Sequence, residues 1–359
     1  MGKIKVAIAG LGNCASALIQ GIEFYKNVKG SEKMVPGLMN PSIGGYLPKD
    51  IEIVAAFDVN RDKIGKDISE AIFIDNCTVK FSNVPRKGVK VVPGPILDGV
   101  APHMVKSFKC YDEREMKPVD VAQHLRERGA EILINYLPVG SAQASRVYAK
   151  AALDAECGFI NAIPEFIASD KGVGDEFEKK NLPIAGDDVK SQLGATILHR
   201  ALVDLCVNRG VKILETYQLN VGGDTDFENM TVEERLKTKR ISKTTAVTSI
   251  PPYEIPTRIG PSDYIPFLNN RKICYIWLKG LLWGEVPATI DLKLSVEDSP
   301  DSAGVIVDVI RCMKLALDRG IGGRLVSISA YSFKHPPVFI PDNIAKNWVQ
   351  EFIEGKRER

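Results

Sequence analysis

Lys3-Ile4-Lys5-Val6-Ala7-Ile8-Ala9-Gly10-Leu11-Gly12-Asn13-Cys14-Ala15, with Leu18, Ile19, Ile22 and Tyr25 behind it, is the stretch that decides the fold. Lys3 to Ala9 is a short apolar run that reads as a strand ending at Gly10. The four apolar positions after the turn fall on one face of a helix. Strand, glycine turn and helix in that order open a dinucleotide-binding unit. Gly10 permits the tight turn, Gly12 lets the backbone approach a pyrophosphate, and Ala15 allows close packing of helix on strand. The helix N-terminus attracts the anion. A chance glycine turn is the competing reading, and the flanking strand and helix weigh against it. Asn13 and Cys14 lie within the turn and count with it as cofactor-binding positions. Ile51 to Phe57 reads as the second strand. Asp58, at its end, is the expected acceptor for a ribose 2′-hydroxyl and would repel a 2′-phosphate, so NAD is the expected cofactor. Its distance from the glycines exceeds the usual ~20 residues, which a surface excursion over residues 27–50 accounts for.

Further along, Asp62 to Glu70 is expected to be helical, and residues 76–104 form a second excursion rich in Pro, Gly and Val. Val119 to Gly129 reads as a helix, Ile132 to Tyr136 as a buried strand, and Ser141 to Ala155 as a helix. Gly158 to Ala162 and Pro183 to Ala185 are short strands. This alternation implies a doubly wound α/β domain on a parallel sheet. After about Leu205 the pattern changes. Ile213 to Val221 and Ala288 to Val296 alternate two faces, and Ile273 to Leu278 is a third strand candidate. Together they read as a largely antiparallel sheet with one polar face. A helix follows, with Ser299 as N-cap, Pro300 at its first position, a stripe through Val305, Ile306, Val309, Ile310 and Met313, and Gly320 as its stop. The expected division is a Rossmann-like domain over 1–205, completed by 301–359, and a second α+β domain over 206–300.

The bulk properties exclude several classes. The chain has 359 residues, 45% of them hydrophobic, enough for two cores. Its 47 Lys and Arg nearly balance 45 Asp and Glu, so no global field favours nucleic acid or an acidic membrane. The seven cysteines are scattered with no C-x-x-C pair, which argues for reduced thiols and no structural zinc. No apolar run approaches the ~20 residues of a membrane span, and the first residues already read as a strand rather than a signal peptide. A soluble, cytoplasmic protein is expected.

Four stretches carry candidate chemistry. Asn135-Tyr136-Leu137-Pro138-Val139-Gly140-Ser141 and Asn161-Ala162-Ile163-Pro164 each follow a strand at its C-terminal end, where loops line the cofactor crevice. Asn135, Pro138, Ser141, Ala162 and Pro164 are the candidates there, against ordinary turn chemistry. Gly186-Asp187-Asp188-Val189-Lys190-Ser191-Gln192-Leu193-Gly194-Ala195-Thr196 leads from a strand into a helix over Ile197 to Val207. Ser191, Gln192 and the amides near Gly194 would make a second anion cradle. Asp188 would face a nicotinamide or bind a cation; the alternative is an acidic loop that caps a helix. Lys237-Thr238-Lys239-Arg240-Ile241-Ser242-Lys243 puts Lys239 and Lys243 on one helical face, and taken alone reads as a solvated basic stripe. Aromatic residues do not interleave it as in a nucleic-acid patch. Lys272 and Lys334 are uninformative singly, and His335 reads as structural rather than catalytic.

Taken together, AGLGNCASALIQGIE, INYLPVGS, NAIPEFIAS, GDDVKSQLGAT, LNVGGDTDF, KTKRISKTT, GPSDYIPFLNNRK and YSFKHPP resemble the myo-inositol-1-phosphate synthase family in its short prokaryotic form. The resemblance covers nearly the whole chain and overturns the solvated-stripe reading. It implies a redox-neutral conversion of glucose 6-phosphate to inositol phosphate. Hydride passes from C5 to NAD⁺, the ketone acidifies C6, the C6 enolate attacks the C1 aldehyde, and hydride returns to C5. By the same resemblance Lys239 lies near O1 and the aldol centre, and Lys334 exchanges a proton with the C5 oxygen. Lys243 and Lys272 serve the phosphate and neighbouring oxygens, Asp188 and Asp226 are the active-site carboxylates, and Ser191, Gln192, Leu193 and Gly194 form the phosphate loop. The loop here, SQLGAT, is longer than the eukaryotic one. Family members are usually tetramers built on the second-domain sheet, so a homotetramer is expected. Some prokaryotic members use a divalent metal, and no compact ligand cluster in this sequence decides that. The rival readings are an NAD-dependent dehydrogenase of the homoserine or diaminopimelate type and a non-catalytic NAD-binding regulator. The first would consume NAD stoichiometrically, and the second leaves four lysines and two aspartates without a task.

Overall fold

The computed structural model describes residues 2–359. Its first half alternates short strands with helices: β1 (Ile4–Ala9), α1 (Asn13–Phe24), β2 (Ile51–Asp58), α2 (Ile68–Ala71), β3 (Val91–Pro93), α3 (Val121–Arg128), β4 (Ile132–Asn135), α4 (Ala142–Asp154), β5 (Gly158–Asn161), α5 (Lys171–Lys179), β6 (Pro183–Ala185) and α6 (Ala195–Asn208). Every residue of β4 and β5 is buried, as expected for parallel strands covered on both faces.

Three expectations fail in this half. The 76–104 excursion contains β3, which pairs parallel with β2 as the edge of the sheet. Asp62 to Glu70 is not a helix: residues 61–66 are turns, Gly65 has φ +82°, and only one helical turn follows Asp67. The Asp67 carboxylate caps that turn at Ser69 N (3.0 Å) and also holds the amides of Lys87 (3.1 Å) and Gly88 (2.7 Å). Such an acid is spent on stapling a loop. The 27–50 excursion is also more than surface, since Leu38, Ile43 and Tyr46 are buried in it.

The second half begins with β7 (Lys212–Gly222), α7 (Thr225–Asn229) and α8 (Glu233–Thr248), followed by β8 (Thr257–Tyr264), β9 (Arg271–Leu281) and β10 (Pro287–Glu297). The sheet order is β10-β9-β7-β8. β10, β9 and β7 pair antiparallel as expected, but β7 and β8 pair parallel, so the sheet is mixed. β8 escapes sequence reading because it contains Gly260 and Pro261 and lacks clean alternation. A parallel pair needs a crossover. Here the crossover is α7 and α8, the segment that carries Asp226 and the lysine run. One sheet face, with Ile213, Ile276 and Leu278, is buried; the other carries Tyr217 stacked on Trp277 at 5.4 Å, with Leu219 and Tyr275 exposed.

The chain then returns to the first sheet through α9 (Asp298–Asp318), β11 (Gly323–Arg324), α10 (Val326–Ser332) and α11 (Asp342–Ile353). α9 starts at Asp298 with Glu297 at the cap, so Ser299 is not the N-cap; its hydroxyl accepts from Asn270 Nδ2 at 2.9 Å. Gly320, at φ +64°, follows the helix end as expected. Buried Arg311 donates to the carbonyls of Asn40 (2.8 Å) and Pro41 (3.2 Å), and Tyr46 Oη donates to Asp318 (2.5 Å), which fastens the 27–50 segment onto α9. β11 pairs with β6, completing a seven-stranded parallel sheet of order β11-β6-β5-β4-β1-β2-β3. The order reverses between β1 and β4, which places a ligand crevice outside their C-terminal ends.

Candidate active site

The glycine turn stands at that reversal. Gly10 has φ +87°, and a Cβ there would lie 2.7 Å from the Tyr136 carbonyl oxygen, so only glycine fits. A Cβ on Gly12 would meet nothing within 4 Å, which leaves open space over the turn. α1 has no side-chain cap, so its first amides are free for an anion. Ala15 is fully buried, as close helix packing requires. The central residue of the turn, Leu11, is clamped through both of its backbone groups. Leu11 N donates to Asp58 Oδ2 at 2.7 Å, while Leu11 O accepts from Lys63 Nζ at 2.7 Å and Asn76 Nδ2 at 3.1 Å. Asp58 also accepts from Asn60 N at 2.8 Å, so its first task is to brace the turn. Neither Lys63 nor Asn76 stood out in the sequence, where Lys63 lies in the stretch expected to be helical and Asn76 opens an irregular segment.

Asn13 reaches across the turn and accepts from the amides of Cys77 (2.8 Å) and Thr78 (3.1 Å). Cys14 lies against Ser299 and Ser302 of α9, and burial pushes its thiol up to about 11. The loops after β4 and β5 mostly brace each other. Asn135 Nδ2 donates to Asn161 Oδ1 at 2.9 Å, Ser141 Oγ donates to Pro138 O at 2.7 Å, and Ala162 N donates to Asn135 O at 3.1 Å. Asn135, Pro164 and Ser141 are buried, so their side chains shape the crevice wall more than they present polar groups to it.

The four lysines converge. Lys334, just after α10, places Nζ 2.9 Å from Asp188 Oδ1. Lys239, on α8, lies 3.9 Å from the same oxygen and 3.7 Å from Asp226 Oδ2. Ser242 Oγ donates to Asp188 Oδ2 at 2.5 Å. Lys272, on β9, pairs with Asp298 at 2.9 Å. Lys243 is 2% exposed, and Lys272, Lys239 and Lys334 all act on its charge. Asp188 itself adopts a left-handed φ of +62° in the loop that follows β6. The neighbouring Asp187 is wholly spent on the fold, accepting from the amides of Ile167, Ala168 and Ser169 at 2.8–3.1 Å. Of the two adjacent acids, only Asp188 faces the lysines.

α8 is held over the first sheet by polar ties. Arg235 donates to Gly140 O (2.7 Å) and Asp98 O (2.8 Å), and Thr238 donates to Glu165 Oε1 (3.2 Å). Residues 239, 242, 243 and 246 then face inward at helical spacing.

Burial and charge set distinct proton affinities. Burial disfavours the ionised form of Asp188, but Lys334, Lys239 and the Ser242 hydroxyl outweigh it and hold the carboxyl at about 2. Burial, then the nearby lysines, pushes Lys243 well below the ordinary lysine value. Lys334 is also lowered, first by burial, with Lys239 and Lys272 adding and Asp188 opposing. For Lys239 burial is outweighed by Asp188, Asp226 and Asp298, and its affinity for the proton rises. Such a set offers firm cations beside developing oxyanions and amines that give up a proton more readily than an ordinary lysine.

Three acids were not singled out from the sequence. Asp298 pairs with Lys272; its signal was an acidic Glu297-Asp298 step where a strand meets a helix. Asp224 caps α7 at Phe227 N (3.1 Å) and is pushed up to about 7 by burial and then by Asp226 and Asp298. The third is Asp301. The expected phosphate loop lies ahead of α6, which starts at Ala195 rather than Ile197, with Gly194 at its cap and no side-chain capping bond. The amides of Gln192 and Leu193 are not free, however. They donate to Asp301 O at 3.1 Å and Asp301 Oδ1 at 2.8 Å, which leaves Ser191 and the first turn of α6 for an anion. Among the described residues no group of three or more His, Cys, Asp or Glu is arranged to hold a metal ion, and no helix is long and apolar enough to cross a membrane. His335 stacks on Phe166 with ring centroids 4.0 Å apart, the structural placement expected of it.

Residues 194–299, which span the start of α6, the second sheet and the first residues of α9, match the family model of myo-inositol-1-phosphate synthase. The chain is 48% identical to the inositol-3-phosphate synthase of Corynebacterium glutamicum, over 98% of each chain. It is 48% identical to the inositol-3-phosphate synthase of Mycobacterium tuberculosis, over 98% of this chain and 96% of that one. Among solved structures it is similar to the crystal structure of Ari2, with a TM-score of 0.78, 33% identity and 99% of both chains covered.

Proposed function

The chain belongs to the myo-inositol-1-phosphate synthase family, and from that premise we propose how its site carries the reaction. The enzyme is an intramolecular lyase that converts D-glucose 6-phosphate to 1L-myo-inositol 1-phosphate without net redox change. The observation that carries the residue assignment is the gathering of Lys239, Lys243, Lys272 and Lys334 around Asp188 and Asp298.

NAD suits the glycine turn. The open space over Gly12 and the uncapped α1 fit a pyrophosphate, and the hydroxyls of Tyr136 and Thr78 are buried without a protein partner beside it. When bound, NAD⁺ takes up and returns a hydride, which is the chemistry the protein itself lacks. Asp58 would accept from a ribose hydroxyl with the lone pairs its two amide bonds leave.

The remaining steps fall to side chains. Lys334 would take the C5 hydroxyl proton as the ketone forms and give it back on reduction; its lowered proton affinity and its pairing with Asp188 suit both directions. Lys239, a firm cation, would stabilise negative charge at O1 as the ring closes. Lys243, Lys272, Ser191 and the first turn of α6 would hold the phosphate. Asp188 orients two lysines at once, and Asp226 holds Lys239 from the other side. We assign residues 1–205 with 301–359 to the cofactor domain and 206–300 to the catalytic and assembly domain. A cytoplasmic homotetramer is the proposed working form, built on the outer face of the second sheet, where Tyr217, Leu219, Tyr275 and Trp277 need cover and β10 leaves an open edge.

Incubation with glucose 6-phosphate and NAD⁺, with the product's phosphate identified by NMR, tests the reading. Inositol phosphate should form with no NADH accumulating. NADH appearing in proportion to substrate consumed would favour the dehydrogenase instead. Light scattering should give a tetramer, and an active monomer at micromolar concentration would refute the assembly.

A further inference from the structure

The phosphate loop is docked on the first turn of α9 by two residues. Gln192 lies flat on that helix: its Nε2 donates to Gly37 O at 3.0 Å, and a Cβ on Gly304 would come within 2.2 Å of its Oε1. Asp301 does the rest, with Oδ1 on the Leu193 amide at 2.8 Å and its carbonyl on the Gln192 amide at 3.1 Å. Asp301 Oδ2 is buried with no hydrogen-bond partner, and a Cβ on Gly194 would stand 3.7 Å from it. A carboxylate therefore sits among the backbone donors of a loop built for an anion. Two like charges held a few ångströms apart at a partly buried site repel strongly.

We infer that Asp301 is a charge gate on the phosphate loop: ionised, it competes with a sugar phosphate for the Leu193 amide, and phosphate seats when Asp301 turns away or takes a proton. The inference rests on the proposal that this loop receives the substrate's phosphate. In the protonated route the proton comes from solvent, and Oδ2–H donates to a phosphate oxygen, which gives that unpartnered atom a partner. The groups facing Asp301 set the balance. Burial raises its proton affinity, Asp298 on the same helix adds to this, and Lys272 from β9 and the two loop amides oppose it. Substrate binding should then take up a proton at Asp301, and affinity should weaken as pH rises.

Asp301→Asn is the direct test. It keeps an acceptor for the Leu193 amide, removes the charge, and can place an amide donor where Oδ2 stands. KM for glucose 6-phosphate should fall by roughly tenfold at pH 8, with the change in KM rather than kcat, and the rise of KM with pH should flatten. Calorimetric titration of the NAD⁺-loaded protein with glucose 6-phosphate should give the same gain in affinity. Asp301→Ser, checked for an unchanged melting temperature, repeats the measurement if the Asn variant folds poorly. Equal KM and equal pH dependence in wild type and variant overturn the gate and leave the synthase reading standing. Failure of the folded wild type to bind glucose 6-phosphate or inorganic phosphate overturns the phosphate-loop assignment and the gate with it.

Discussion

The glycine turn and the lysine cluster face the same crevice but are built in opposite ways. The turn is local: Gly10, Gly12 and Ala15 lie within six positions, and what matters is the absence of side-chain atoms. Its bracing groups, Asp58, Lys63 and Asn76, hold the backbone of a single residue, Leu11. The cluster is dispersed: Asp188, Lys239, Lys272, Asp298 and Lys334 come from five separate elements or loops, and what matters is charge held out of water. A neutral backbone motif tolerates modest errors in its surroundings. A buried charge cluster does not, because removing one member leaves another uncompensated, at a cost of roughly 3–5 kcal/mol for a buried pair.

That contrast predicts the largest effect for Lys334→Ala. Proton transfer at C5 would be lost, reducing turnover by ~10²–10⁴-fold, while NAD binding survives because the turn is untouched. Single-turnover mixing followed by NADH absorbance should show no bound NADH. Formation as fast as in wild type would move the C5 role to another lysine such as Lys272. Lys239→Ala should also abolish product, yet some enzyme-bound NADH should still form, since Lys239 serves the later ring closure. If neither variant forms NADH, the two lysines act as one unit and the division of labour is wrong.

On the other side of the comparison, Asp58→Ser should weaken NAD⁺ by about tenfold, because a hydroxyl is a poorer acceptor for the Leu11 and Asn60 amides than a carboxylate. It should also narrow the preference over NADP⁺. Fluorescence titration with both cofactors reads this; a wild type that binds the two equally would refute the role given to Asp58.

The smallest effect concerns protons. Lys243 has its folded proton affinity depressed, so the unfolded chain protonates first as pH falls from the ordinary lysine range. Stability therefore declines through that window and levels off once the folded lysine is also charged. A phosphate dianion beside Lys243 should restore its charge. Binding of glucose 6-phosphate at pH 8 should then take up part of a proton, measured by calorimetry in two buffers of different ionisation enthalpy. Proton release would contradict this placement of Lys243. Asp301→Asn should remove its own part of the uptake and leave the Lys243 part.

The two regions were unequally legible. The strand–turn–helix at 3–25 could be read because periodicity and glycine spacing are local properties, and in the second sheet β7 and β10 could be read because they alternate two faces, with β9 a further candidate as a short apolar run. β8 could not, since Gly260 and Pro261 break its pattern and only its pairing with β7 makes it a strand. Asp62 to Glu70 misled because its acids serve contacts tens of residues away. The lysine run alone looked like a solvated stripe. Its burial follows from its place in the crossover between the only parallel strands of the second sheet, and in the sequence only the family resemblance carried that information.

By itself the sequence determined the doubly wound sheet, the dinucleotide turn and the alternating strands, because these depend on periods of 2.0 and 3.6 residues and on where a Cβ is absent. Only the tertiary structure decided that Lys334 and Lys239 share one oxygen of Asp188, that Asp298 pairs with Lys272, and that Asp301 sits on the expected phosphate loop. Those are distances between charges far apart in the chain, and the interaction of two charges depends on their separation in space and on how much water lies between them.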